Sequence, residues 1–175
     1  TAIAVHDSGE DEYYCFVLDD KKKLTLQSKD NVIIESFENE FDLLQRFFLL
    51  YLDWKPTIIT GWNSALFDIP YLLARTERIL GEGEHKRYSP FELVSKRKVR
   101  FAAGREMTAY EITGVAQLDY LDLYKKFTYV TRESYKLDFI AETELGKNKL
   151  ESGFDTFKEF YEKDWNRFVE YNIND

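Results

Sequence analysis

Two short stretches carry side chains whose types and spacing could do chemistry. In residues 61–75, GWNSALFDIPYLLAR, Asn63 and Asp68 stand five residues apart, with Phe67 beside the acid and Pro70 just beyond it. Thr57, Ile58, Ile59 and Thr60 precede them as a short apolar run that reads as a buried strand, which Gly61 breaks. Pro70 opens an amphipathic run that ends at Gly81. Strand, turn and helix in that order leave a carboxylate at the helix mouth, well placed to hold a metal or a catalytic water. A plainer reading uses the same residues. Asp is a preferred N-cap and Pro is favoured in the first helical turn, so Asp68 could simply start a helix. Asn63 would then be a turn residue and Phe67 a core aromatic. At the far end, Tyr171 and Asp175 fall at i and i+4, on one face of a helix. By itself that pair reads as a surface pair.

The elements that must position these groups follow from periodicity. Residues 2–5 and 13–18 are apolar runs around a Ser8-Gly9 turn, which predicts a hairpin. His6 and Asp7 sit beside that turn as surface groups, and Lys21, Lys22 and Lys23 mark a solvated loop. Residues 32–34 form a third strand candidate. A helix starts at residues 37–40, with Asn39 as its cap. Its core stripe is Phe41, Leu44, Phe48 and Tyr51, widened by Leu43, Phe47 and Leu50. The helix over 70–80 ends at Gly81. Residues 97–112 predict a protruding β-hairpin, with Val99, Phe101, Met107 and Tyr110 around Gly104. Residues 115–124 read as an apolar strand. Its two acids, Asp119 and Asp122, would point to opposite strand faces and so make no pair. Residues 134–144 read as a helix, and residue 154 onward as one last uninterrupted helix. No repeat or linker divides the chain, so residues 1–175 read as one domain.

Composition agrees with a folded body. Of 175 residues, 17% are aromatic, enough for a real core. The single cysteine, Cys15, excludes an intrachain disulfide framework and suits a reducing cytoplasm. No apolar run is long enough to span a membrane, so no membrane partner is expected. The net charge of −8 is the wrong sign for a nucleic-acid coat, but it is unevenly spread. Residues 85–105 hold seven basic residues and one acid, a local +6 that leaves −14 on the rest. Such a patch on an acidic body could face a phosphate backbone or be a solvated loop.

The stretch GWNSALFDIPYLLAR resembles the second exonuclease motif of family B DNA polymerases, Asn-x-x-x-Phe-Asp followed by Ile-Pro-Tyr, and is closest to the phage-type members. The preceding Lys55-Pro56-Thr57-Ile58-Ile59-Thr60 and the pattern FENEFDLLQRFFLLYLDWKP extend the likeness. LDYLDLYKKF and SYKLDFIAETELG also look like this family, and Tyr171-x-x-x-Asp175 resembles its third exonuclease motif, in the right order. The tyrosine marks the DEDDy branch of 3′→5′ exonucleases. The resemblance implies an α/β, ribonuclease-H-like mixed sheet with flanking helices and an inserted β-hairpin. It implies two divalent metals, Mg²⁺ or Mn²⁺, held by four carboxylates, with Asp68 and Asp175 as two of them. Tyr171 would orient the attacking water, Asn63 would position the substrate, and Phe67 would stack on or wedge against a terminal base. Lys149 would lie near the scissile phosphate; its other reading is a surface lysine. The implied partners are the single-stranded 3′ end of primer DNA and the remainder of the polymerase chain, in the cytoplasm of a bacterial or phage-infected cell.

The resemblance has one gap. The family's first motif, Asp-x-Glu on the first strand, supplies the other two carboxylates and has no counterpart here. The chain therefore reads as a piece of a longer polymerase that lacks this strand and is inactive alone. A free-standing nuclease of the same branch, or an exonuclease-like scaffold without catalysis, are the competing readings.

Overall fold

The computed structural model describes residues 1–100, 104, 106–147, 153, 154 and 156–174. It is mixed α/β, with strands in three separate sheets among the described residues rather than in one. The chain divides into two compact units, Thr1–Leu43 with Asp138–Asp175, and Leu44–Leu137.

The first unit is built on a three-stranded mixed sheet. Strand β1 (Ala2–Asp7) pairs antiparallel with β2 (Glu12–Leu18) around the Ser8-Gly9 turn. β2 also pairs parallel with β3 (Val32–Phe37), which places it in the centre. Its Cys15, Phe16 and Val17 are buried in succession, as expected of a strand covered on both faces. Burial pushes the Cys15 thiol up to about 12, which leaves it an inert core group.

The last two helices of this unit correct the sequence reading. Helices α5 (Phe157–Lys163) and α6 (Trp165–Asn174) stand where one uninterrupted helix was predicted. The break is at Asp164. Its backbone leaves the helical region (φ −137°, ψ 76°), and its carboxylate accepts the Arg167 N–H at 3.2 Å, so it starts the second helix. Thr156 caps α5 by accepting the Glu159 N–H at 3.1 Å. On α6, Trp165, Val169 and Ile173 pack against the Cys15 and Val17 face of the sheet. α4 (Leu137–Leu145) starts three residues later than predicted.

Helix α1 (Glu40–Trp54) starts where Asn39 accepts the Asp42 N–H at 2.9 Å, as the sequence suggested. In the second unit, Phe48 and Tyr51 of this helix pack on Tyr88 at ring centroid distances of 5.0 and 4.6 Å. Tyr88 is fully buried; its carbonyl accepts the Tyr51 hydroxyl and its own hydroxyl bonds Thr76 on α2 (Asp68–Ile79). Two further ladders complete this unit. β4 (Ile58–Gly61) pairs parallel with β7 (Ala116–Asp119), and β5 (Val94–Arg100) pairs antiparallel with β6 (Glu106–Ile112), with Val99 opposite Met107. Phe101 and Arg105 lie outside the described residues.

His85, in the 3₁₀ turn Glu84–Tyr88, is buried beside Glu77 of α2, with its Nδ1 3.4 Å from Oε1, and lies edge-on to Tyr110 of β6. Burial pulls its pKa below the ordinary value, opposed by the Glu77 charge and reinforced by Lys96 and Lys86. The folded chain thus keeps this imidazole neutral where the unfolded chain protonates it. The stability this gives is full above about pH 6.5 and is lost as pH falls below that value. Denaturant midpoints between pH 7.5 and 5 should fall in the native chain, and the slope should be shallower in His85→Gln. Equal slopes would show that other groups carry the acid sensitivity.

Candidate active site

The stretch between β4 and α2 is shaped in part by its own backbone. Ser64 is buried and turns back on Gly61; a Cβ on Gly61 would lie 3.0 Å from the Ser64 Cβ, so any larger residue there would have to push Ser64 aside. Asn63 adopts a left-handed conformation (φ 60°), which Asn tolerates better than most residues. Its carbonyl accepts the N–H groups of Leu66 and Phe67 at 3.3 and 3.1 Å, and the Ser64 carbonyl accepts the Ile69 N–H at 3.0 Å. The turn therefore runs without a gap into the first turn of α2, where the Tyr71 N–H reaches the Phe67 carbonyl.

Asp68 is the first helical residue and is exposed. It does not fill the N-cap position. Phe67 stands there, with no side-chain capping bond, so the plain capping reading of Asp68 does not hold. Nor is Phe67 a core aromatic: it is 67% exposed, beside the exposed Tyr71. A large apolar ring held out at a helix mouth next to a carboxylate can stack on a flat partner. Asn63, Phe67 and Asp68 thus share one loop and one helix start.

Beneath this loop lies a residue that sequence reasoning set aside. The predicted strand over 115–124 ends at Asp119, and helix α3 (Tyr120–Phe127) begins there. Asp119 caps it by accepting the Leu121 N–H at 3.0 Å. Asp119 and Asp122 are therefore not two positions on one strand, because Asp122 lies in the first turn of α3. Asp119 is 9% exposed and stands level with Gly61 in the β4–β7 ladder; its carboxylate accepts the N–H groups of Asn63 and Ala65 at 2.9 and 3.0 Å.

Other groups flank the loop. The Trp62 indole N–H donates to the Tyr135 carbonyl at 3.1 Å, and its ring rests on Tyr124. The basic segment is less free than its composition suggests. Lys96 pairs with Glu77, Lys98 and Arg100 with Glu106, and Arg87 with Glu84, all three acids lying outside the segment. These are surface pairs of small strength, so an anionic polymer can compete for the cations.

Tyr171 belongs to the other unit, on α6. Its ring meets Phe157 and Phe160 edge-on, at centroid distances of 5.7 and 5.8 Å. Asp175 and Lys149 lie outside the described residues. Among the described residues, no group of three or more His, Cys, Asp or Glu side chains could hold a metal ion. Asp68 alone among the expected ligands is described. A carboxylate is the right donor for a hard cation, but one is too few, so the described residues do not by themselves make a metal centre.

Residues 6–140 match the model of the DNA polymerase family B exonuclease domain. The chain is a family B DNA polymerase exonuclease domain. It is 35% identical to the DNA-directed DNA polymerase of Enterobacteria phage T4 across 99% of its length. It is 38% identical to that of Escherichia phage RB69 across 83%. The DNA polymerase catalytic subunit of human herpesvirus 7 is 29% identical across 71%. The chain spans 22%, 16% and 12% of these three relatives. Both phage relatives share more with this family B domain than the herpesvirus one does, in keeping with the phage-type character of the motif around Asp68. No described helix is long and apolar enough to cross a membrane.

Proposed function

We propose that this domain is the proofreading 3′→5′ exonuclease, of the DEDDy type, of a longer DNA-directed DNA polymerase. It would remove nucleotides by hydrolysis from the single-stranded 3′ end of primer DNA, in the cytoplasm of a bacterial or phage-infected cell. The observation that carries this reading is the loop that presents Asn63, Phe67 and Asp68 together at the mouth of α2. Membership in the exonuclease-domain family supports reading this loop as part of the reacting site, and its geometry suits the task.

Each residue then has a role of its own. Phe67, exposed beside the acid, stacks on or wedges against the terminal base; stacking on an aromatic ring tolerates any base, as proofreading requires. Asn63 positions the terminal nucleotide. Asp68 and Asp175 supply anionic oxygen at the scissile phosphate, and Mg²⁺ or Mn²⁺ is the cofactor this reading implies. Tyr171 orients the attacking water through its phenol. Lys149 lies near the same phosphate. The fold is inferred to be ribonuclease-H-like, with the β5–β6 pair as its inserted hairpin, and residues 1–175 to form one domain without the Asp-x-Glu strand. The remaining carboxylates come from that motif, and the remainder of the polymerase is the domain's partner.

The test is degradation of a 3′-labelled single strand in Mg²⁺. The intact protein should release labelled mononucleotides, and residues 1–175 alone should release almost none. Release of long products, or of no label by the intact protein, would overturn the reading. Vigorous release by residues 1–175 alone would overturn the inferred need for the Asp-x-Glu strand.

A further inference from the structure

We propose that Asp119 is a positioning residue that holds the loop from Asn63 to Asp68 in working shape. This rests on the exonuclease reading above and adds a residue to it.

Side-chain packing gives the exposed end of this loop little support. Asn63 is left-handed, and Phe67 and Asp68 are exposed. What anchors it is one carboxylate from another strand. Oδ1 of Asp119 accepts the Asn63 N–H at 2.9 Å and the Leu121 N–H at 3.0 Å; Oδ2 accepts the Ala65 N–H at 3.0 Å. Three backbone donors thus converge on one buried acid. Bonds to an ionised acceptor are the stronger kind, and a buried donor left unmatched is costly.

The anchoring reaches the proposed site through covalent and hydrogen-bonded steps. Asp119 fixes the N–H of Asn63. The Asn63 carbonyl fixes Phe67, and Phe67 is joined to Asp68 at the start of α2. Because Gly61 and Asp119 are partners in the ladder, the loop is bolted to the strand beside the one it leaves. The same carboxylate starts α3, so one side chain sets strand end, loop and helix together. An amide in its place keeps the size but offers one acceptor oxygen, and its NH₂ would face an N–H donor.

The experiment compares the intact protein with Asp119→Asn, Asn63→Ala and the double variant. Amide hydrogen exchange should quicken about tenfold or more at Asn63 and Ala65 in Asp119→Asn, while the N–H groups of β4 and β7 stay protected. Single-strand degradation should fall about 100-fold, the scale on which small misplacement of a working group lowers rate. In the Asn63→Ala background, Asp119→Asn should cost much less, because both changes act on one loop; a role in stability alone would give independent, multiplying losses. Multiplying losses, or unchanged exchange at Asn63 and Ala65, would overturn the proposal. Should the unsubstituted protein show no Asp68-dependent degradation, the exonuclease reading fails and exchange decides: local loss supports the anchor, and unchanged exchange overturns it.

Discussion

Asp68→Ala should abolish the release of 3′-terminal nucleotides while leaving the protein folded. The expected loss is about 100-fold or more, the scale for removing one preorganised charged contact from a reacting centre. The cost to stability should be small. Asp68 is exposed, and the carboxylate in the first turn of α2 contributes through the helix dipole, about 0.3–1 kcal/mol. Activity and stability therefore separate at this position. Asp68→Asn should behave like Ala in the assay, since it keeps the shape and loses the charge. The measurement pairs single-strand degradation with a urea denaturation midpoint for each variant. A variant that loses activity only in proportion to stability would mean that Asp68 is a helix-start residue and nothing more. Retained activity in both variants would move the reacting centre elsewhere in the chain.

Most local signals in the sequence were sound, though Phe41 and Ile58, read as core, are 45% and 57% exposed, and the two misplaced element boundaries share one cause. Asn39 capping α1, the Ser8-Gly9 turn and the core stripe through Phe48 and Tyr51 all stand where side-chain chemistry and period place them. Each of these depends on neighbours a few residues away. The two misread stretches each contain an aspartate that ends one element and begins another. Asp119 looked like one alternate position in an apolar strand, and Asp164 like one residue of an aromatic helix. Periodicity alone cannot tell a mid-element Asp from a capping one, because the deciding bond goes to a backbone N–H two or three residues on. Of the proposed site, the loop with Asn63, Phe67 and Asp68 was legible through its motif. Its anchor was not, since Asp119 lies more than fifty residues away and serves backbone atoms that carry no sequence signal. The arrangement of strands in three sheets was hidden for the same reason: pairing partners are chosen by long-range packing, which no local pattern records.

Phe160→Ala should destabilise the first unit by about 3–5 kcal/mol, the range for emptying a buried aromatic site. Phe160 is fully buried, and its ring is the hub of a cluster. Phe154, Phe168 and Tyr171 surround it at centroid distances of 5.6, 5.5 and 5.8 Å, the last two edge-on. A loss of this size is a large part of the 5–15 kcal/mol that holds a typical domain. The unfolding transition should shift to clearly lower denaturant, and Phe160→Leu, which refills much of the space, should lie between the two. The same change should reach function through Tyr171. Two aromatic edges, Phe157 and Phe160, pack on the Tyr171 ring, and the removal of one loosens that packing. Below its lowered unfolding transition, folded Phe160→Ala protein should therefore degrade single strands more slowly than the native chain. Tyr171→Phe, which keeps the packing and removes only the hydroxyl, should show the kinetic defect without the stability loss. If Phe160→Ala is less stable but fully active where it is folded, the cluster supports the sheet alone and Tyr171 is held by other contacts.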